Sequence, residues 1–184
     1  VLWFIKLMKN KFLSFFLLLF ISKLFFLSAN SAEQFNFDIT EIEILQNGDV
    51  IKGNKKGTVS TNDGTTITAD TFIYKKSLNI LTAEGNVKIK DTNKNLEIYS
   101  DNVIYDKNKE IIITNKNSKA IYETGKFIFA DTFKFDRNKN ILNANGKVKI
   151  ENTIKDYLIT GNNFTYFKDS EKIITKGKTE AFFQ

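Results

Sequence analysis

The side chains best suited to chemistry in this sequence are three aspartates that recur at regular steps. Asp70 stands in "ADTFIY" (69–74), Asp101 in "SDNVIY" (100–105) and Asp131 in "ADTFKF" (130–135). A fourth copy, "GNNFTY" (161–166), has Asn162 at that place, and the copies begin 31, 30 and 31 residues apart. Carboxylates serve as general acids, bases and metal ligands, but a catalytic site needs unlike groups converging on one place. Like residues dealt out one per repeat read instead as turn or bulge formers. The chain has no His and no Cys, so it lacks an imidazole base, a thiol nucleophile and any Cys-type zinc site. It shows no Gly-rich phosphate loop, no metal-ligand cluster and no nucleophile beside an activating base. A carbohydrate-active enzyme would need paired carboxylates at a set separation, and none is marked. The expectation is a protein that is not an enzyme, with no catalytic residue, no metal and no cofactor.

The formal charge of +6 is concentrated at one end. Lys6, Lys9, Lys11 and Lys23 lie in the first 32 residues, which hold no acid; without them 23 basic residues face 21 acidic ones. Arg137 is the only Arg. A phosphate-reading protein uses more Arg and a larger positive excess, so no nucleic-acid partner is expected. The scattered Lys read as a solvated face that protects strand edges.

The first 32 residues read as a signal peptide for export. Lys9 and Lys11 form the basic region, Phe12–Ser22 the apolar run, and "SANSA" the small-residue site, with cleavage after Ser31 or Ala32. Residues 1–7 precede the only Met, Met8, where translation is expected to start. The rival, an uncleaved anchor over Phe12–Leu27, contains Lys23 and falls short of the roughly 20 residues a crossing needs.

The elements that position the aspartates come from the repeat. Aligning Ala69–Asn95 with Ala130–Asp156 gives 14 identities in 27 positions without a gap. Four units are expected, near 64–95, 96–125, 126–156 and 157–184, within a domain spanning 33–184. Each carries the order Ile, any, small, Asp or Asn, any, Phe or Val, any, aromatic. The positions are filled by Ile67, Phe72, Tyr74; Ile98, Val103, Tyr105; Ile128, Phe133, Phe135; and Ile159, Phe164, Tyr166. Steps of two on each side mean β-strand, and the parity change between the small residue and the acid calls for a bulge or bend there. A polar turn follows each aromatic, then a second strand, a Gly at 85, 146 and 177, and a strand such as "NVKIK" with one wet face. Turns are expected at Asn47–Gly48 and Asp63–Gly64, and no segment after residue 33 has a helical period. The fold class is therefore all-β: stacked antiparallel strands in repeats of about 30 residues, each burying its apolar face against its neighbours. The interior would be either a dry core, as in a secreted structural or adhesive β-repeat protein, or a trough lined by those twelve side chains. Periodicity leaves the two open.

The segment "FNFDITEIEILQNGDVIKGNKKGTVSTNDGTTITADTFIYKKSLNILTAEGNVKI" resembles the OstA-like periplasmic domains of lipopolysaccharide transport. The likeness extends over nearly all of 35–184, and "ADTFIYKKSLNILTAEGNVKI" is its most specific part. The opening "EQFNFDITEIEI" is most similar to the N-terminal domain of the outer-membrane assembly member (LptD), while the length equally suits the soluble bridge member (LptA). The resemblance implies a twisted, V-shaped β-jellyroll. It implies a periplasmic conduit whose apolar interior holds the acyl chains of lipopolysaccharide, in transport to the outer membrane and in outer-membrane assembly. It also implies partners: other OstA-like domains joined end to end by strand pairing, and an outer-membrane barrel in cis or in trans.

Overall fold

Val, Ile, Phe and Tyr at every second position, with Lys, Thr or Asn between them, suit a pleated surface with one buried face. In the computed structural model, which describes residues 35–183, that alternation becomes sixteen strands. The expected leader, its cleavage site and the start at Met8 lie outside the described residues. The strands are Asn36–Ile39 (β1), Ile42–Leu45 (β2), Val50–Gly53 (β3), Gly57–Ser60 (β4), Thr65–Ala69 (β5), Thr71–Lys75 (β6), Ile80–Asp91 (β7) and Leu96–Asp106 (β8). They continue as Ile111–Asn115 (β9), Ser118–Glu123 (β10), Lys126–Ala130 (β11), Thr132–Asp136 (β12), Ile141–Asn152 (β13), Tyr157–Phe167 (β14), Lys172–Lys176 (β15) and Glu180–Phe183 (β16). The only helical pieces among the described residues are three-residue 3-10 turns at Gln46–Gly48 and Lys168–Ser170.

All pairings are antiparallel, and they sort into two arms. One arm runs β1-β4-β5-β7-β8-β10-β11-β13-β14-β16. The other runs β2-β3-β6-β7-β8-β9-β12-β13-β14-β15. The long strands β7, β8, β13 and β14 belong to both, crossing from arm to arm in mid-strand. The remaining rungs cross through a short break, as between β5 and β6 or β11 and β12. Ten V-shaped rungs thus stack into the all-β jellyroll, with the bends along one side and the hairpin turns at the arm tips along the other.

Two sequence expectations take a different local form. The strand, Gly and strand read at 80–91 and 141–152 are single strands carrying a bulge, because the pairing continues on both sides of the interruption. Gly85–Asn86 face Asp101 alone, and Gly146–Lys147 face Asn162 alone. The turn at Asn47–Gly48 also enlists Gln46, and all three adopt left-handed φ of 51, 53 and 92°.

Candidate functional site

The aspartates sit at the bends, where each rung packs on a left-handed residue pair of the next. The Asp70 amide donates to Gly85 O at 2.9 Å, and Asn86 Nδ2 donates to Asp70 Oδ2 at 2.7 Å. Asp101 accepts from Asn117 Nδ2 at 2.8 Å, beside left-handed Lys116 and Asn117. The Asp131 amide donates to Gly146 O at 2.8 Å. Gly85 has φ 76°, and a Cβ there would lie 2.5 Å from Asp70 Oδ2. The acid and the glycine are therefore one corner built from two rungs, and the side-chain partners of these acids among the described residues are the neutral amides of Asn86 and Asn117. Replacing Asp70 or Asp101 by Ala is expected to lower unfolding free energy by about 1 kcal/mol each, the worth of the side-chain hydrogen bond lost, and Asp131→Ala, which keeps its amide bond to Gly146, by no more than that. Denaturant melts check this; a change confined to one of the three, with loss of an activity, would contradict it.

Past the corners, all twelve residues expected at the interior face the space between the arms, on two unbroken ladders and one that is interrupted at Thr114. On the first arm, Val59, Ile67, Ile89, Ile98, Ala120, Ile128, Ile150 and Ile159 are successive cross-strand partners. On the second arm, Phe72, Ala83 and Val103 form one run, and Phe133, Ala144 and Phe164 another, so each large ring stands beside an alanine. The third ladder reads Ile51, Tyr74, Leu81, Tyr105, Ile112, Phe135, Leu142, Tyr166 and Ile173. Ring and aliphatic side chain alternate from rung to rung, because each repeat contributes one aromatic strand and one Ile/Leu strand. Alternating bulk lets neighbours interdigitate without voids. Eleven of the twelve are buried, and Ile159 is half-buried.

The ladders run out at both ends of the stack. On the second-arm half of the first rung, Ile44 pairs with Ile51 and is 66% exposed; on the last described rung, Ala181 pairs with Ile159 and is exposed, and Ile173 pairs with Tyr166 and is half-buried. Among the described residues, β1, β2, β15 and β16 each pair along one edge alone.

Between these ends the arm tips close on each other through an ion-pair cluster. Arg137, in the turn after β12, donates from Nε to Asp91 Oδ2 at 2.8 Å and from Nη1 to Asp63 Oδ2 at 2.8 Å. Its Nη1 also donates to Tyr105 Oη at 2.6 Å and to Glu110 Oε2. Lys107 Nζ donates to Asp63 Oδ2 and to Glu110 Oε1, both at 2.6 Å. Asp63 and Asp91 belong to the first arm; Arg137, Lys107, Glu110 and Tyr105 belong to the second. Arg137, Lys107 and Asp91 are 5%, 6% and 1% exposed. Burial alone would raise the Asp63 carboxyl, but hydrogen bonds from Arg137, Lys107 and Thr61 outweigh it and hold it well below the usual carboxylate range. Burial would likewise lower the Arg137 guanidinium, and its bonds to Asp63 and Asp91 reverse that. Burial raises the Tyr105 hydroxyl above its ordinary range.

The signs give a pH profile for the closed tips. A depressed acid stabilises fully above its unfolded value, about 4 for Asp, and that stabilisation is lost as the pH falls below it. A raised phenol stabilises below its unfolded value, about 10, and that is lost as the pH rises past it. Thermal midpoints should therefore be level between these limits, and Asp63→Asn should flatten the acid side. An acid side identical in wild type and variant would contradict this.

Farther along, the tips meet more loosely. Lys126 of the first arm pairs with Glu123 beside it and reaches Glu171 of the second at 3.6 Å; the Tyr122 and Tyr166 rings meet with centroids 4.6 Å apart, tilted by 48°. Tyr122, Asn152, Tyr157, Tyr166 and Ile173 line a cavity of about 130 Å³ there. A separate groove of about 630 Å³ runs along the first arm's rim past Asp91, Leu96, Tyr122 and Ile154.

Sequence reasoning missed the cluster, although a signal existed. The residue opening each polar turn is basic in all four repeats: Lys76, Lys107, Arg137 and Lys168. Only the middle two are buried, because only they face carboxylates of the opposite arm.

Comparison with curated protein sequences returns no match. Among solved structures, the fold is similar to that of LptH from Pseudomonas aeruginosa, described as the LptA homologous periplasmic component of the conserved lipopolysaccharide transport device. The two share 17% identity with a TM-score of 0.57, over 62% of this chain and 83% of that one. At the level of sequence families, the OstA-like protein family matches residues 33–141. That span is more than half of the chain, and it contains the first corner and the whole tip cluster from Asp63 to Arg137: the chain belongs to the OstA-like protein family.

Proposed function

We propose that this chain is a periplasmic lipopolysaccharide-binding conduit domain that serves transport to the outer membrane and outer-membrane assembly. The observation that carries the reading is the continuity of two apolar ladders, which span the stack from Phe37 to exposed Ala181 on the first arm and from exposed Ile44 to half-buried Ile173 on the second. A passage for acyl chains needs such a strip, since each CH₂ left in water costs about 0.8 kcal/mol. It needs no catalytic group. Sheet edges at both ends of the described stack supply a way to join further OstA-like domains by strand addition. An outer-membrane barrel, in cis or in trans, is the partner at the far end of such a path. The family assignment and the likeness to LptH support this reading. Export by a leader over residues 1–32 would deliver the domain to the periplasm.

A second reading, a secreted structural β-repeat with a closed core, is favoured by the shut tips. Photo-crosslinking separates the two. With benzoylphenylalanine at Phe72, Phe133 or Phe164 in cells making lipopolysaccharide, the conduit reading expects lipid adducts, and none from the outward position Lys134. A folded protein without adducts at any inward position would favour the closed core.

A further inference from the structure

The tip cluster divides by arm in a way that gives it a second use. The first arm contributes only carboxylates, Asp63 and Asp91; the second contributes Arg137 and Lys107, braced by Glu110, which accepts from both. Behind the latch the space between the arms is filled: Ile67, Leu81, Tyr105, Ile112 and Phe135 are all buried to 1% exposure or less. An acyl chain therefore enters only if the arms part, and parting them breaks every bond that Arg137 and Lys107 make to the first arm. Removing one side of a buried ion pair is costly because the charge left behind has no partner.

We propose that this cluster is a latch opened by exchange: the anionic headgroup of an amphiphile takes the place of Asp63 and Asp91 on Arg137 and Lys107 while its chain enters between the arms. The proposal rests on the conduit reading and adds a selectivity to it, for chains that carry a phosphate or similar anion at the head. The geometry suits the exchange. Arg137 holds Asp91 through Nε and Asp63 through Nη1, at 2.8 Å each, so its donors already carry two separate anionic oxygens that a phosphate oxygen could replace. Lys107 adds a donor 2.6 Å from the same Asp63 oxygen. Glu110 remains with its own hairpin and keeps both cations aimed at the mouth. The groove along the first arm's rim, beginning at Asp91, gives the head room outside the interior. A neutral head offers the cations nothing in return for the lost carboxylates.

The test uses two amphiphiles with one chain and small heads, dodecyl phosphate and dodecyl dimethylamine oxide. Each is titrated below its micelle concentration into the full chain by calorimetry. Wild type should bind the phosphate about tenfold more tightly, the worth of a charged hydrogen bond. Asp63→Asn should tighten both and keep the preference. Arg137→Met should erase most of it. If that variant does not fold, Lys107→Met should reduce the preference several-fold, with circular dichroism confirming an intact fold. A merely structural cluster would shift both affinities together and leave their ratio alone. Equal binding of the two by wild type, or a ratio unchanged in a folded Arg137→Met or Lys107→Met variant, overturns the exchange while leaving the conduit standing. Binding of neither overturns the conduit reading and the latch with it.

Discussion

Arg137→Met will lower the unfolding free energy by about 3–5 kcal/mol, the range for breaking a buried ion pair from one side. Arg137 is 5% exposed and binds three carboxylates and the Tyr105 hydroxyl. Without it Asp91, 1% exposed, loses the only cation bonded to its side chain among the described residues, and the Tyr105 and Glu110 groups are left facing each other. The stem of Met fills the space of the Arg stem, so the loss reports charge and hydrogen bonding more than packing. Arg137→Lys should recover only part of it, because an ammonium cannot span Asp91 and Asp63 from two fixed nitrogens. Denaturant unfolding followed by circular dichroism measures both. A loss below about 1 kcal/mol, the range of exposed pairs, would mean that the tips are already parted in solution.

Phe133→Ala will cost a comparable amount, about 3–5 kcal/mol. Phe133 is 1% exposed, its neighbour on the ladder is Ala144, and Ala144's next partner is Phe164. Two alanines in succession beside a single ring leave a void that the pleated strands cannot close, because their spacing is set by the backbone ladder. Its amide also donates to the buried Thr114 hydroxyl at 2.8 Å, which pins the backbone in place. Phe133→Leu should cost less than half as much. Equal costs for Ala and Leu would show that the interior relaxes around this position and is already loose enough to admit a chain.

How much of this was legible beforehand depends on the range of the interactions. The corners were readable because they are local: the parity change around Asp70 and its echo around Asp131 can be seen in six residues. The ladders were readable because a repeat of fixed length places equivalent residues in line, so Ile67, Ile98, Ile128 and Ile159 fall on one arm and Tyr74, Tyr105, Phe135 and Tyr166 on the other. The alternation of rings with Leu81, Ile112 and Leu142 was within reach too, but only once the second strand of each repeat was placed between the aromatic strands. The cluster was not legible. Arg137 meets Asp63 and Asp91 across 74 and 46 positions of sequence, and the twist of the stack decides which turn of one arm faces which turn of the other. A lone Arg in a Lys-rich turn marks an unusual position without saying what it meets. For the same reason the sequence left the interior open or closed, whereas the bonds between the tips close it.

Conduction requires that the arms part to admit acyl chains. The chain has no Cys, so spin labels can be placed on cysteines introduced at Asn93, on the tip of the first arm, and Lys139, on the tip of the second, both exposed. The label-to-label distance, measured by double electron–electron resonance in the full chain with and without purified lipopolysaccharide, reports the gap directly. The distance should lengthen with lipopolysaccharide bound and return to the short value when it is removed. A distance that stays the same while lipopolysaccharide is demonstrably bound would contradict parting of the arms.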